Sequence, residues 1–204
     1  MTALPAFPDG QGLRERKKAR TRASLREHAL RLIREQGYHA TTVEQIAAAA
    51  EVSPSTFFRY YPTKEDVILQ DDLDVRVFEA MERQPPDVSP LAAIRAAFRE
   101  GFASLTPQEW DELKLTSELT MTVPEIRARS LDEFNRTIRK TCQALAKRTG
   151  RDQDDIAVRT FTGAVFGIIM TVTMYGEPGE HVIGADMFQR IDEGLALLAA
   201  GLPL

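Results

Sequence analysis

The side chains best equipped for chemistry crowd into one stretch, Ser53-Pro54-Ser55-Thr56-Phe57-Phe58-Arg59-Tyr60-Tyr61-Pro62-Thr63-Lys64. A guanidinium can pair bidentately with a guanine edge, and Ser, Thr and Tyr hydroxyls can bond phosphates, sugars or base edges. A lysine ammonium adds a mobile point charge for phosphate. Thr42, Ser53, Ser55, Thr56, Tyr60 and Lys64 are therefore candidate phosphate and sugar contacts, and Pro54, Thr56 and Arg59 are candidates to reach bases. Catalysis has less to work with. The histidines are isolated, with His28 and His39 expected on the surface, and Cys142 sits on an ordinary helical stripe. One cysteine excludes an internal disulfide and any Cys-based zinc site, and fits a reducing cytoplasm. No metal and no cofactor is expected. A helical-bundle enzyme stays an alternative that would need a nucleophile–base pair or a metal cluster.

The elements around those residues are predicted from local rules. Thr41 with Glu44, or Thr42 with Gln45, offers a capping box. Val43, Ile46, Ala47 and Ala50 then recur at helical spacing, and the Ala47–Ala50 run lets another helix approach closely. Glu51-Val52-Ser53 breaks the pattern, Ser53 caps the next helix and Pro54 fits its first position. Pro62 stops that helix, and Thr63 with Asp66 caps another. Two short helices joined by a turn of about four residues make a helix-turn-helix pattern. The same spacing also suits a surface helical hairpin in any α-protein.

From about Thr21 to Ile68 the chain closely resembles the DNA-binding segment of the tetracycline-repressor (TetR) family. The resemblance is carried by Ala29-Leu30-Arg31-Leu32-Ile33 with Gly37-Tyr38, Thr41-Thr42-Val43, Ile46-Ala47, Ala50, Val52-Ser53, Thr56-Phe57-Phe58, Tyr60-Tyr61-Pro62 and Lys64-Glu65. It covers the first third of the chain. Phe58 departs from the tyrosine common in the family, so no hydroxyl contact is expected there. The resemblance places helix 1 from about Arg20, which adds Arg20 and Thr21 to the DNA-contact candidates. Leu25, Ala29, Leu32 and Ile33 stripe that helix, and Gly37 ends it.

Charge is divided along the chain. Residues 1–64 hold 11 Lys or Arg against 6 Asp or Glu, while the rest holds 15 against 24. A basic head on an acidic body suggests that only the head meets a polyanion. Residues 1–12 read as a disordered leader, and Leu13–Arg22 as either a mobile arm reaching DNA or a solvated helix start. No signal peptide is seen. The most apolar run, Phe161 to Met174, is shorter than the ~20 residues of a membrane span and reads as a buried core helix. A cytoplasmic protein with no membrane partner is expected.

The remainder reads as helical throughout, so the fold class is all-α. The expected domains are a flexible basic arm at 1–19, a helix-turn-helix domain at 20–65 and a helical ligand-binding and dimerisation domain at 66–204. Glu65 to Arg83 reads as one long helix ended by Pro85-Pro86. Ser89-Pro90, Thr106-Pro107 with Glu109, and Asp152 with Asp155 mark later helix starts, while Val123-Pro124 breaks or kinks the chain. Ile156 to about Tyr175 is expected to be buried on several sides, and Gly176 to Gly179 is a loop.

Gly163 and Gly167, four apart, would let a partner helix approach, either within the chain or from a second copy. Phe188, Ile191, Leu195 and Leu198 on the last helix could complete a four-helix homodimer interface, and the TetR resemblance implies dimerisation through the last two helices. Trp110, Met121, Phe134, Phe161, Phe166, Met170 and Met174 could line an adaptable apolar pocket, with Ser117 and Arg127 among its polar groups, or could simply be core. Pro85 to Phe102, Pro107 to Leu113, and Pro124 to Arg129 resemble the C-terminal domain of the acyl-CoA-responsive branch that includes the mycofactocin regulator. That resemblance implies an acyl-CoA-like effector whose anionic group meets Arg127 or Arg129. The combined expectation is a dimeric transcriptional regulator, a repressor that binds double-stranded palindromic operator DNA and is released by a small molecule. A ligand-insensitive DNA binder is a further alternative.

Overall fold

The computed structural model describes residues 12–70, 72–174 and 185–203, with Met174 and Ala185 as backbone alone. Among these residues there are ten helices and no strand. The chain divides into two compact units, Met1–Gln70 and Asp71–Leu204.

The first unit holds α1 (Leu13–Gln36), α2 (Val43–Ala49), α3 (Pro54–Tyr60) and α4 (Lys64–Leu69). Its core is Leu25, Ala29, Leu30, Ile33, Ile46, Ala47, Phe57, Tyr61, Val67 and Ile68. The basic stretch expected to be a flexible arm up to residue 19 is instead helical from Leu13. Arg, Glu, Lys and Ala are all strong helix formers, so Arg14 to Ala19 propagates the helix without needing a buried face. Residues 1–11 of the expected leader lie outside the described residues. His39 is exposed as expected, whereas His28 is half-buried on α1.

Glu65 to Arg83 is not one helix. α4 ends at Leu69, Gln70 is extended (φ −88°, ψ 99°), and α5 begins at Leu73. The cause is Arg26, which is buried and donates to the carbonyls of Val67 (3.0 Å), Ile68 (2.6 Å) and Gln70 (3.1 Å). The end of α4 is thereby capped by a side chain of α1. All of α4 therefore belongs to the first unit, and the divide follows Gln70 rather than residue 65.

The second unit contains α5 (Leu73–Arg83), α6 (Pro90–Ala103), α7 (Pro107–Thr122), α8 (Pro124–Thr149), α9 (Ile156–Met174) and α10 (Ala185–Ala199). Ser89 and Thr106 cap α6 and α7, Thr106 through a full capping box with Glu109. Gly150 ends α8 in the left-handed region (φ 66°, ψ 23°). Asp155 rather than Asp152 caps α9, accepting from the Ala157 N–H at 2.7 Å. The core gathers Met81, Ile94, Ala97, Phe102, Leu145, Val165, Ile191 and Leu195. Two close approaches need glycine: a Cβ on Gly101 would sit 2.7 Å from Val77 Cγ2, and one on Gly194 would sit 2.6 Å from Ile168 Cγ2.

One expectation for the last helices is overturned. Only 17% of the Ile156–Thr173 window of α9 is buried, so this helix is not enclosed on several sides. At 18 residues and mean hydropathy 1.6, that window is long and apolar enough to cross a membrane by length and composition alone. The α10 stripe faces inward: Ile191 (1% exposed) and Leu195 (0%) are buried, with Phe188 and Leu198 packed on the same core. α10 packs on both α6 and α9, which cover most of that stripe. Ile191 and Leu195 are therefore covered within the chain. The Gly176–Gly179 loop lies outside the described residues.

Candidate nucleic-acid interface and ligand cavity

In the first unit, α2 and α3 are held by paired caps. Thr42 Oγ1 accepts from the Gln45 N–H, and Gln45 Oε1 accepts from the Thr42 N–H at 2.9 Å, which selects Thr42 over Thr41 as the cap. Thr41 is buried and donates to the Gly37 carbonyl at 2.9 Å. The turn closes with Val52 N–H on the Ala47 carbonyl (2.9 Å) and Glu51 N–H on the Ala48 carbonyl (3.1 Å). This is a Schellman closure, and it puts Glu51 at φ 55°, where glycine is usual. Ser53 Oγ accepts from the Thr56 N–H at 3.2 Å and lies 2.9 Å from Ser55 Oγ and 3.0 Å from Thr56 Oγ1. Phe57 and Tyr61 are fully buried and anchor the helix, so Ser53, Pro54, Ser55, Phe58 and Arg59 are turned outward. The Arg59 guanidinium lies 5.3 Å from the Tyr60 ring centroid. Hydroxyls and a cation thus share one exposed face of α3, suited to a phosphate backbone and base edges.

Other sequence candidates fall differently. Arg20 is exposed on α1, while Thr21 donates to the Lys17 carbonyl at 3.0 Å. Lys64 is committed within the unit: Nζ donates to the carbonyls of Tyr38 and Thr41, both at 2.9 Å, and sits 3.8 Å above the Tyr38 ring. Tyr38 in turn donates to Glu65. Burial raises the Glu65 carboxyl, but hydrogen bonds from Tyr38, its own backbone and Thr63, with the Lys64 charge, hold it below its usual range. Tyr61 Oη donates to the Arg22 carbonyl at 3.2 Å, and the Arg22 guanidinium covers the Tyr61 ring at 5.1 Å. The sequence reading missed Arg26, which fastens α4 to α1, and Arg22, which covers Tyr61 and donates to Gln70 Oε1 at 3.0 Å, since nothing in their spacing points to partners about forty residues away.

The second unit holds a half-open cavity of about 270 Å³. α5 contributes Asp74, Val77, Phe78 and Met81, and α6 contributes Ile94, Ala97 and Phe98. α8 adds Ser130, Glu133, Phe134, Thr137 and Thr141, and α9 adds Val165, Phe166 and Ile169. Of the sequence candidates, Phe134 and Phe166 are brought together here, edge to face at 5.2 Å between ring centroids. Phe161 faces a separate, smaller cavity of about 150 Å³ beside Leu145 and Val158. Trp110 stacks on Phe102 at 5.7 Å, and Ser117, Met121 and Met170 are half-buried elsewhere on α7 and α9. The Met174 side chain lies outside the described residues. Arg127 closes the α7–α8 corner by donating to the Thr120 (3.3 Å) and Met121 carbonyls, and Arg129 pairs with Asp132 at 3.0 Å. Neither arginine lines the cavity. The sequence reading placed no α5 residue in the pocket, because Val77 and Met81 at helical spacing suit a core as well as a lining.

Residues 25–70 match the family described as bacterial regulatory proteins, tetR family, and residues 88–203 match the MftR C-terminal domain. The chain belongs to the TetR family. It is 37% identical over 199 residues to the HTH-type transcriptional regulator TcmR of Streptomyces glaucescens, covering 94% of this chain and 84% of that protein. Among solved structures it is similar to Thermus thermophilus FadR, a TetR-family repressor in complex with lauroyl-CoA. There the TM-score is 0.55 and the identity 26%, over 90% of this chain and 95% of that one. Bacillus halodurans FadR, a fatty acid degradation regulator, shares the fold at TM-score 0.53 and 18% identity, over 95% and 98% of the two chains. As a TetR-family member this protein is a DNA-binding transcriptional regulator and not an enzyme, with the helix-turn-helix at α2–α3.

Proposed function

We propose that this TetR-family protein is a cytoplasmic, dimeric repressor that binds a palindromic operator and is released by a small molecule in the body cavity. The observation that carries the DNA half is the outward face of α3, where Ser53, Ser55 and Arg59 are exposed while Phe57 is buried behind them. Arg59 and Thr56 are the proposed base readers, with Pro54 beside them. Thr42, Ser53, Ser55 and Tyr60 are the proposed backbone contacts. The exposed cations Arg14, Arg16, Lys17, Lys18 and Arg20 on the first turns of α1, joined by Thr21, would add phosphate contacts and salt dependence.

The dimer half is supported by α9. Gly163 and Gly167 are exposed, and among the described residues a Cβ added at either would meet nothing within 4 Å. Packing within the chain therefore gives no reason for two glycines in a helix interior, where each costs about 1 kcal/mol relative to alanine. A second copy of α9 crossing at this point does give one. Leu197 on α10 is 51% exposed and supplies apolar surface in place of the buried Ile191 and Leu195. A two-fold dimer would present two heads about 34 Å apart, the spacing of successive major grooves.

A ligand acts only through unequal affinity for two conformations. α5 supplies four lining residues and follows α4 in the chain, so the cavity is wired to the head by a short stretch of sequence. An acyl-CoA is one effector class in view, supported by the lauroyl-CoA complex of the Thermus protein. The test is a mobility-shift titration of the full-length protein on its own promoter region at fixed salt, with and without lauroyl-CoA. Tight binding to an inverted repeat, lost when one half-site is scrambled, is the expected result. No binding to any promoter fragment would overturn the proposal.

A further inference from the structure

We infer that the body cavity selects an aromatic ligand that donates hydrogen bonds and carries no negative charge, with a protonated nitrogen as its best-matched donor. The inference rests on the regulator reading and names the ligand class for the same cavity. Three observations point the same way. First, the walls are aromatic: Phe78, Phe98, Phe134 and Phe166 come from four different helices. Ring faces and edges from several directions suit a flat ring system better than a flexible chain.

Second, the hydroxyl donors of the lining are already committed. Ser130 donates to the Arg127 carbonyl (2.8 Å), Thr141 to the Thr137 carbonyl (2.9 Å) and Thr137 to Asp74 Oδ2 (3.1 Å). A hydroxyl has one proton to give, so these groups meet a ligand as acceptors. Third, the ionised groups among the described lining residues are the carboxylates of Asp74 and Glu133, with no Lys or Arg. A carboxylate only accepts, and it repels an anion, more strongly from the half-buried Glu133 than from the exposed Asp74. Arg136 pairs with Glu133 at 2.9 Å and tempers that charge without lining the cavity. Arg127, the cation expected to greet a phosphate, is bonded at the α7–α8 corner instead. An acyl-CoA would have to keep every phosphate outside this lining.

The volume of about 270 Å³ is just under the range of about 300–1,000 Å³ typical of ligand sites, so a compact tricycle is the right size of probe. The experiment titrates the full-length protein with three matched tricycles by calorimetry at pH 7: 9-aminoacridine (cation), 9-anthracenemethanol (neutral donor) and 9-anthracenecarboxylate (anion). The cation and the neutral donor are expected to bind at least about tenfold more tightly than the anion. In Asp74→Asn/Glu133→Gln the gap between cation and anion should shrink to about threefold or less. Both positions are outside the buried core, and a thermal melt checks that the variant folds. Binding of the anion as tight as the cation overturns the inference, and so does a gap that the double variant leaves unchanged. Promoter binding without any ligand is measured separately, so a failure of the regulator reading shows there and not in the calorimetry.

Discussion

Replacing Gly163 and Gly167 by alanine should move two quantities in opposite directions. Among the described residues of one chain a methyl at either position meets nothing within 4 Å, so no clash there opposes it. Alanine in a helix interior is favoured over glycine by about 1 kcal/mol, so the double variant should gain about 2 kcal/mol in intrinsic α9 stability. In a dimer that brings two α9 helices together here, each methyl enters a closely packed surface. Overpacking costs about 1–3 kcal/mol per site, and a two-fold axis repeats every contact. The dimer dissociation constant should therefore rise about 10- to 100-fold or more. Sedimentation velocity across a concentration series reads the association, and thermal melts at matched concentrations read the fold. A weaker dimer of normally folded subunits is the expected outcome. If the variant dimerises as well as the parent and is simply more stable by about 2 kcal/mol, the glycines are surface residues and the interface lies elsewhere.

Four further outcomes follow from particular contacts. Arg59→Ala should weaken operator binding by about 1–3 kcal/mol and relax one base preference without moving the melting temperature, and unchanged affinity in a mobility-shift titration would remove Arg59 from the interface. Arg26→Ala removes a buried cation that serves two α4 carbonyls and that of Gln70, so hydrogen exchange of the α4 amides should accelerate with a loss of about 3 kcal/mol, and unaltered protection would contradict its role. Glu51→Gly relieves a left-handed residue at φ 55° and should raise head stability by about 1 kcal/mol in denaturant melts, where no gain would mean that the turn is not strained. The Asp192 carboxyl is held below its usual range by hydrogen bonds from Arg95 at 2.8 and 2.9 Å, against the opposing effect of burial and with help from the Arg95 and Arg99 charges. Its stabilisation is present above the unfolded carboxylate pKa near ~4 and fades as pH falls through the lower folded value. Asp192→Asn should thus cost about 1 kcal/mol at pH 7 and nothing once the parent's carboxyl is protonated, whereas a pH-independent gap would refute the charge assignment.

The outward face of α3 was the most legible part of the molecule, because its instructions are local. Ser53-Pro54 states where α3 begins, Phe57 and Tyr61 one turn apart state which side is buried, and the opposite side falls to Ser55 and Arg59. Lys64 shows the limit of that reasoning. A lysine near a DNA-binding helix looks like a phosphate contact, yet two carbonyls contributed by the α1–α2 corner take its protons. The cavity was less legible, since an aromatic residue at helical spacing is equally good as core or as lining. Phe134 and Phe166 reached the cavity while Trp110 went into a stack with Phe102.

What the sequence determined by itself is the set of helices and most of their starts. Thr42 with Gln45, Ser53-Pro54, Ser89-Pro90 and Thr106-Pro107 with Glu109 all appear as caps in the structure, because a cap is settled within about four residues of chain. Tertiary structure decided where α4 stops, which way α9 and α10 face, and where Arg127 spends its donors. Each depends on a neighbour remote in sequence: Arg26 beneath α4, α6 and α9 against α10, and the end of α7 beside Arg127. A stripe of apolar residues states which side of a helix must be covered, but the covering surface is chosen only when the helices assemble.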